Sequence, residues 1–339
     1  TAQITALSGA QIGSMTTGQI LTLSTMQIRS MDTLDVQGFT TTQIQQFSTM
    51  QINSLTTGQI AALDSAQLDT LTTAQLTGIN TVQVSAIQTA DLASISTNLI
   101  AGLNTAQVVA LTTGQIAALR TDQISSIETV DIKVLAPFQI VAFDSAQIQA
   151  LTTFQIAVLN TAQIRAIETT DLAGLSSVQI PVLNSAQIGA LSATQISALD
   201  SNQIIVLTTT QITQMSPSQM SAIETVDISG LTSMQIAVMN TAQVNALTSL
   251  QVEAMSGDQI ASFESGDMSS LTNLSISAIE TGDLASIILD QIAGLSSAQI
   301  GSLTTAQISL LNTSQIAAIE TRDLKGLNTN QVQALDTAQ

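Results

Sequence analysis

Apolar and polar positions follow one another along this chain in a single rhythm of eight. Cut from Ser8, it reads SGAQIGSM, TTGQILTL, STMQIRSM and onward to Leu335 without an insertion or deletion, giving 41 complete octads. Number the octad positions 0 to 7. Position 4 is Ile, Val, Leu or Met and position 7 is Leu, Ile, Met or Phe in all 41. Position 3 is Gln in 31 octads and Asp in 8, with Leu99 and Ser275 as the exceptions, and position 1 is Ser or Thr in 34. A fixed period marks a repeat architecture, in which each unit buries its apolar residues only against its neighbours.

The period also selects the element. In a continuous α-helix each residue turns about 100°, so eight residues overshoot two turns and an eight-residue stripe would spiral around the cylinder. In a flat strand positions 4 and 7 have opposite parity and would face opposite sides. As i and i+3 they share one face of a short helix. In Thr16-Thr17-Gly18-Gln19-Ile20, Thr16 can cap the Gln19 N–H while the Gln19 side chain reaches back to the Thr16 N–H, a capping box. Met15 and Ile20 then form the hydrophobic staple. Pro137 and Pro217 stand at position 1, the first helical residue, where Pro is favoured. Against this reading, Pro181 lies at position 5, where it removes a donor inside the turn, and Thr and Ser are poor helix formers. The expectation is a solenoid of short helices coiled into a rod, with a β-solenoid as the alternative, since Ile, Val and Thr also suit strands. Elements this short are marginal alone, so stability must come from stacking. Residues 1–339 read as one continuous repeat tract with full repeats from 8 to 335. Because Thr1 and Gln339 both fall partway through an octad, the tract is expected to be a segment of a longer protein.

A slower rhythm overlies the octads. Those with Asp at position 3 begin at Asp32, Gln88, Glu128, Glu168, Glu224, Glu264, Glu280 and Glu320. Their spacings of 7, 5, 5, 7, 5, 2 and 5 octads are met by roughly 2.4 octads per superhelical turn if the units stack as in other solenoids. On that spacing the acidic units would line one side of the rod.

Composition narrows the chemistry. The chain lacks Cys, His, Trp and Tyr, and 9% of its residues are charged where a soluble domain has about 25%. That leaves no thiol nucleophile, imidazole couple or usual zinc donor, and an enzyme is not expected. With 6 Lys and Arg against 24 Asp and Glu, a net charge of −18, nucleic acid is not an expected partner. Mean hydropathy is positive at +0.38, yet runs such as Val134-Leu135-Ala136-Pro137-Phe138 fall far short of the ~20 residues of a membrane span.

Fifteen of the 24 acids lie in the eight acidic octads: Asp32, Asp35, Asp91, Glu128, Asp131, Glu168, Asp171, Glu224, Asp227, Glu264, Asp267, Glu280, Asp283, Glu320 and Asp323. They could contact Ca²⁺, which takes carboxylate and carbonyl oxygens, or present an acidic stripe to a basic partner. Equally, they could be solvated charges at helix N-termini, favoured by the helix dipole. No other metal or cofactor is expected. The Ser and Thr arrays read either as caps and a polar coat or as an ice- or glycan-binding surface. Arg29, Lys133, Arg165 and Lys325 share position 5, an exposed slot, where Lys133 and Lys325 could pair with local acids. The 10 Met residues, several at position 7, read as core filler.

The motif [ST]-[ST]-x-Q-[IV]-x-x-L, seen as TTAQISLL from Thr304 and with Asn leading as NTAQVVAL from Asn104, resembles the octapeptide tracts of very large secreted proteins and adhesins of bacteria. The sequence LT-x-x-Q-[IV] is also similar to the helix start of TAL-effector repeats, whose unit is about four times longer. The first resemblance implies an exported cell-surface or filament component. The expected function is a structural extracellular rod or filament, such as a fibre, sheath or adhesin stalk, that associates with itself. The alternative is a binding solenoid for ice, glycan or calcium.

Overall fold

The computed structural model describes residues 3–335 and Gln339. They form two compact units that divide between Gly174 and Leu175, each built from the same helical octad.

Helices of four to six residues begin at position 1, as in Thr105–Val109, Thr121–Ser126 and Thr305–Leu310. The residue before each is extended; Thr16, for instance, has φ −72° and ψ 155°. The Thr16 N–H donates to Gln19 Oε1 at 2.8 Å and the Gln19 N–H donates to Thr16 Oγ1 at 3.3 Å. Reciprocal pairs of this kind satisfy two of the donors that every helix start leaves open. Where position 0 is Ala136 or Ile288, only the Gln half survives, with Oε1 accepting the N–H at 2.9 and 3.1 Å. At the other end, the position 7 N–H closes on the position 4 carbonyl, as Leu119 does on Ile116 at 3.1 Å. Leu119 itself is extended, with φ −63° and ψ 137°, and this breaks the helix and starts the next octad. Pro137 and Pro217 begin their helices as expected. Pro181 falls in a 3₁₀ turn, Ile180–Val182, so its octad takes the tighter form in place of an α-turn. Among the described residues there is no strand, and the β-solenoid alternative is not adopted.

Stacking places each helix against the one three octads on. Thr25–Arg29 packs on Thr49–Ser54, which packs on Thr73–Gly78; in the second unit Thr225–Ile228, Ser249–Glu253 and Asn273–Ala278 repeat the arrangement. Positions 4 and 7 fill the interior, Ile124 and Ile212 being wholly buried and Leu119 and Met215 nearly so. Each fully buried aliphatic side chain of this size contributes about 1.5–3 kcal/mol.

A second link joins octads four apart. Gln123 Nε2 donates to the carbonyl oxygens of Leu92 at 3.0 Å and Ile95 at 2.9 Å, 31 and 28 residues back. Gln243 Nε2 does the same to Ile212 at 2.7 Å and Met215 at 2.8 Å. The pattern recurs in both units, from Gln59 on Ile28 and Met31 to Gln331 on Ile300 and Leu303. Each octad therefore touches those three and four places away, and a superhelical turn holds between three and four octads. The expected 2.4 octads per turn is corrected by these contacts. Seven octads make one step of three and one of four, so within the second unit Glu224 comes near Glu280 in phase, and Glu264 near Glu320. Separations of five or two octads break the phase, and within neither unit do the acidic octads share a single side.

Replacing Gln123, which is fully buried, by Glu keeps the cap acceptor but removes both donors and turns a charge toward two carbonyl oxygens. The loss expected is several kcal/mol, read as a lowered midpoint in urea monitored by circular dichroism. Asp122→Ala, at an exposed site next to it, should change the midpoint little.

Candidate functional site: the acidic octads

Asp at position 3 changes both links. Its side chain is too short to reach back four octads and its carboxylate has no proton to give. It accepts from the octad three places back instead. The Ser145 hydroxyl donates to Asp171 Oδ1 at 3.0 Å, Thr241 donates to Asp267 Oδ1 at 2.7 Å, and Ser201 donates to Asp227 Oδ1. The donor is the position 1 residue in each case.

Three of these octads approach that neighbour closely. Position 6 carries Gly38, Gly174, Gly230 and Gly326 in half of the acidic octads. A Cβ on Gly38 would overlap the Gly9 carbonyl, one on Gly174 the Ser145 carbonyl, and one on Gly326 the Ser297 carbonyl. Here glycine serves close backbone approach; among the described residues none has positive φ.

The fifteen acids divide by depth. Asp35, Asp131, Asp227, Asp267 and Asp323 are buried, and Asp91, Asp171 and Asp283 are half-buried. Glu128, Glu168, Glu224, Glu264, Glu280 and Glu320 stay exposed at the cap position, and the first four make no side-chain cap bond. Asp32 does cap, accepting the Asp35 N–H at 2.8 Å while Asp35 Oδ2 accepts the Asp32 N–H at 3.2 Å. Thus the reading of both carboxylates as solvated charges holds for the Glu side chains and not for the Asp beneath them. Buried Asp131 leaves Oδ1 without a hydrogen-bond partner. Among the described residues no three carboxylates gather into a group that could hold a metal ion.

Burial is the main cause that pushes the Asp35 carboxyl above its usual range; the Asp32 N–H bond opposes it and the Asp32 charge adds to it. Burial also raises Asp91, with a smaller push from Asp64. Asp122 is lowered, chiefly by its hydrogen bond from Arg120 at 3.0 Å. Arg322 pairs with Glu320 at 2.7 Å and Asp323 at 3.3 Å. Lys133 and Lys325 form no ion pair among the described residues, contrary to the expected pairing.

Two features escaped the sequence reading. One is the buried Gln tie. The other is an outward apolar row at position 2: Val226, Leu250 and Leu274, 63%, 63% and 74% exposed, stand on three successively stacked helices. Met26 and Met50 form a similar pair in the first unit.

Short capped helices stacked at steps of three and four octads define the class, a helical solenoid with an eight-residue unit. The chain belongs to the ALTTAQ repeat family, whose model matches residues 28–65, 84–121, 124–161, 164–201, 220–257, 276–318 and 316–339. No curated protein matches the chain significantly.

Protons favour the form with the higher pKa, so the native state binds more of them than the unfolded chain between the ordinary carboxylate range and the raised values of Asp35 and Asp91. Stability falls as pH rises through that window. The double substitution Asp35→Asn and Asp91→Asn should flatten this fall, measured as melting temperature against pH. Gly174→Ala should cost about 1–3 kcal/mol by forcing the Ser145 contact apart, measured by chemical unfolding; Gly189→Ala, at a glycine with open space around it, should be near neutral.

Proposed function

We propose that this chain is a non-catalytic structural protein of the cell exterior that associates with copies of itself into a filament, sheath or stalk. The observation that carries the reading is the outward row Val226, Leu250 and Leu274. Apolar side chains left in the open along stacked helices favour association, and a chain with 9% charged residues opposes it weakly. The resemblance to secreted octapeptide tracts supports the location. No helix of the described residues is long and apolar enough to cross a membrane.

The purified chain should form elongated assemblies as its concentration rises, seen by negative-stain electron microscopy and light scattering. Leu250→Lys with Leu274→Lys should shift their onset to higher concentration. Particles that remain monomeric across the whole range would refute the reading.

A further inference from the structure

Each acidic octad stacks on the octad three places back, and position 1 of that partner is biased in composition. It is Gly9, Ser65, Ser145, Ser201, Gly257 or Ser297 in six cases and Thr in the other two. Ser or Gly thus fills six of these eight places against 5 of the other 33, where Thr is the rule. Gly9 and Gly257 are the two position 1 glycines of the whole sequence, and both stand beneath an acidic octad. The contacts account for the bias. The Ser145 and Ser201 hydroxyls donate to Asp171 and Asp227, and the Ser65 backbone N–H donates to Asp91. A Cβ on Gly257 would come within 3.0 Å of Asp283 Oδ1, and one on Gly9 within 2.9 Å of the Leu34 carbonyl oxygen. The Gln octads are less exacting: those of Gln163, Gln219 and Gln315 stack over Pro137, Ala193 and Leu289.

We propose that the acidic octads are register keys: each fixes which octad lies beneath it, in a coil whose other units are largely interchangeable. The tie from Gln to carbonyl reads the same in every Gln octad. A run of such octads could therefore leave one unit out of the coil and resume the ladder with its ties remade. A slip across an acidic octad cannot be repaired in that way. It sets the Asp over a foreign position 1, where a buried carboxylate loses its donor or meets an apolar side chain. One octad adds little net stability, because the gain from burial and the cost of ordering nearly cancel. The key thus outweighs the gain from taking an extra unit into the coil.

The test inserts one natural octad, a copy of residues 288–295 (ILDQIAGL), into the 339-residue chain and reads hydrogen–deuterium exchange, which reports local opening. Between Leu207 and Thr208 the insert comes three octads before that of Asp227 and would set Leu beneath the carboxylate. One octad between residues 200 and 231 should then exchange as fast as unfolded chain, looped out to keep Asp227 over Ser201, while the rest of the unit stays protected. Between Leu231 and Thr232, outside every key, the same insert should enter the coil and be protected. Two changes should bring it into the coil at the first site. Asp227→Gln creates the Gln-over-Leu stack that Gln315 and Leu289 already form, and Leu→Ser at position 1 of the insert supplies a matching partner. Either rescue suffices, so a variant that fails to fold leaves the other to decide. Protection at the first site without a rescue, exposure at both sites, or failure of both rescues would overturn the proposal. A merely local contact would lower stability without choosing which octad leaves the coil.

Discussion

One side-chain amide does two jobs in most octads, and the fold depends on the combination. Its oxygen accepts the N–H that opens its own helix, and its nitrogen donates to two carbonyls four octads back, as Gln123 does between Arg120, Leu92 and Ile95. Helices of four to six residues cannot persist alone in water. The amide gives each one both a start and a fixed place in the stack. It also supplies donors where the chain turns out of its helix and leaves a buried carbonyl, a group that costs about 1–3 kcal/mol if left unpaired. Glutamate would serve the first job and fail the second.

The acidic octads are the exceptions that follow from this rule. A carboxylate can only accept, so Asp171 and Asp267 take hydroxyl bonds from Ser145 and Thr241 three octads back and give up the link four back. Gly174 lets its backbone come close enough for that exchange. Where the hydroxyl bond is missing, as at Asp131 Oδ1, a buried oxygen is left alone. In these octads the Asp side chains are part of the packing.

Much of this was legible in the residues. The octad register, the capping boxes, the burial of positions 4 and 7 and the Pro at position 1 follow from local rules, and the short helix emerged from them. The coil step did not, because it is set by how far a Gln side chain reaches across the stack, and periodic acids such as Glu128 and Glu168 carry no information about that reach. A signal was present nonetheless. A capping box accepts Glu as readily as Gln, yet position 3 has Gln in 31 octads and Glu in none. Only a need for a donor explains that choice. Likewise the pairing of Asp at position 3 with Gly38, Gly174 or Gly326 at position 6 encodes a close approach that neither residue suggests by itself.

The backward reach of the tie also sets an order of events. Every long link of this kind closes a loop of 28 to 31 residues, and loop closure over such short spans is entropically cheap. A newly emerged octad finds its partners already made, and none has to wait for sequence still to come. Folding can thus advance along the polypeptide at the pace at which it is synthesised, with only the last few octads unsettled at any moment.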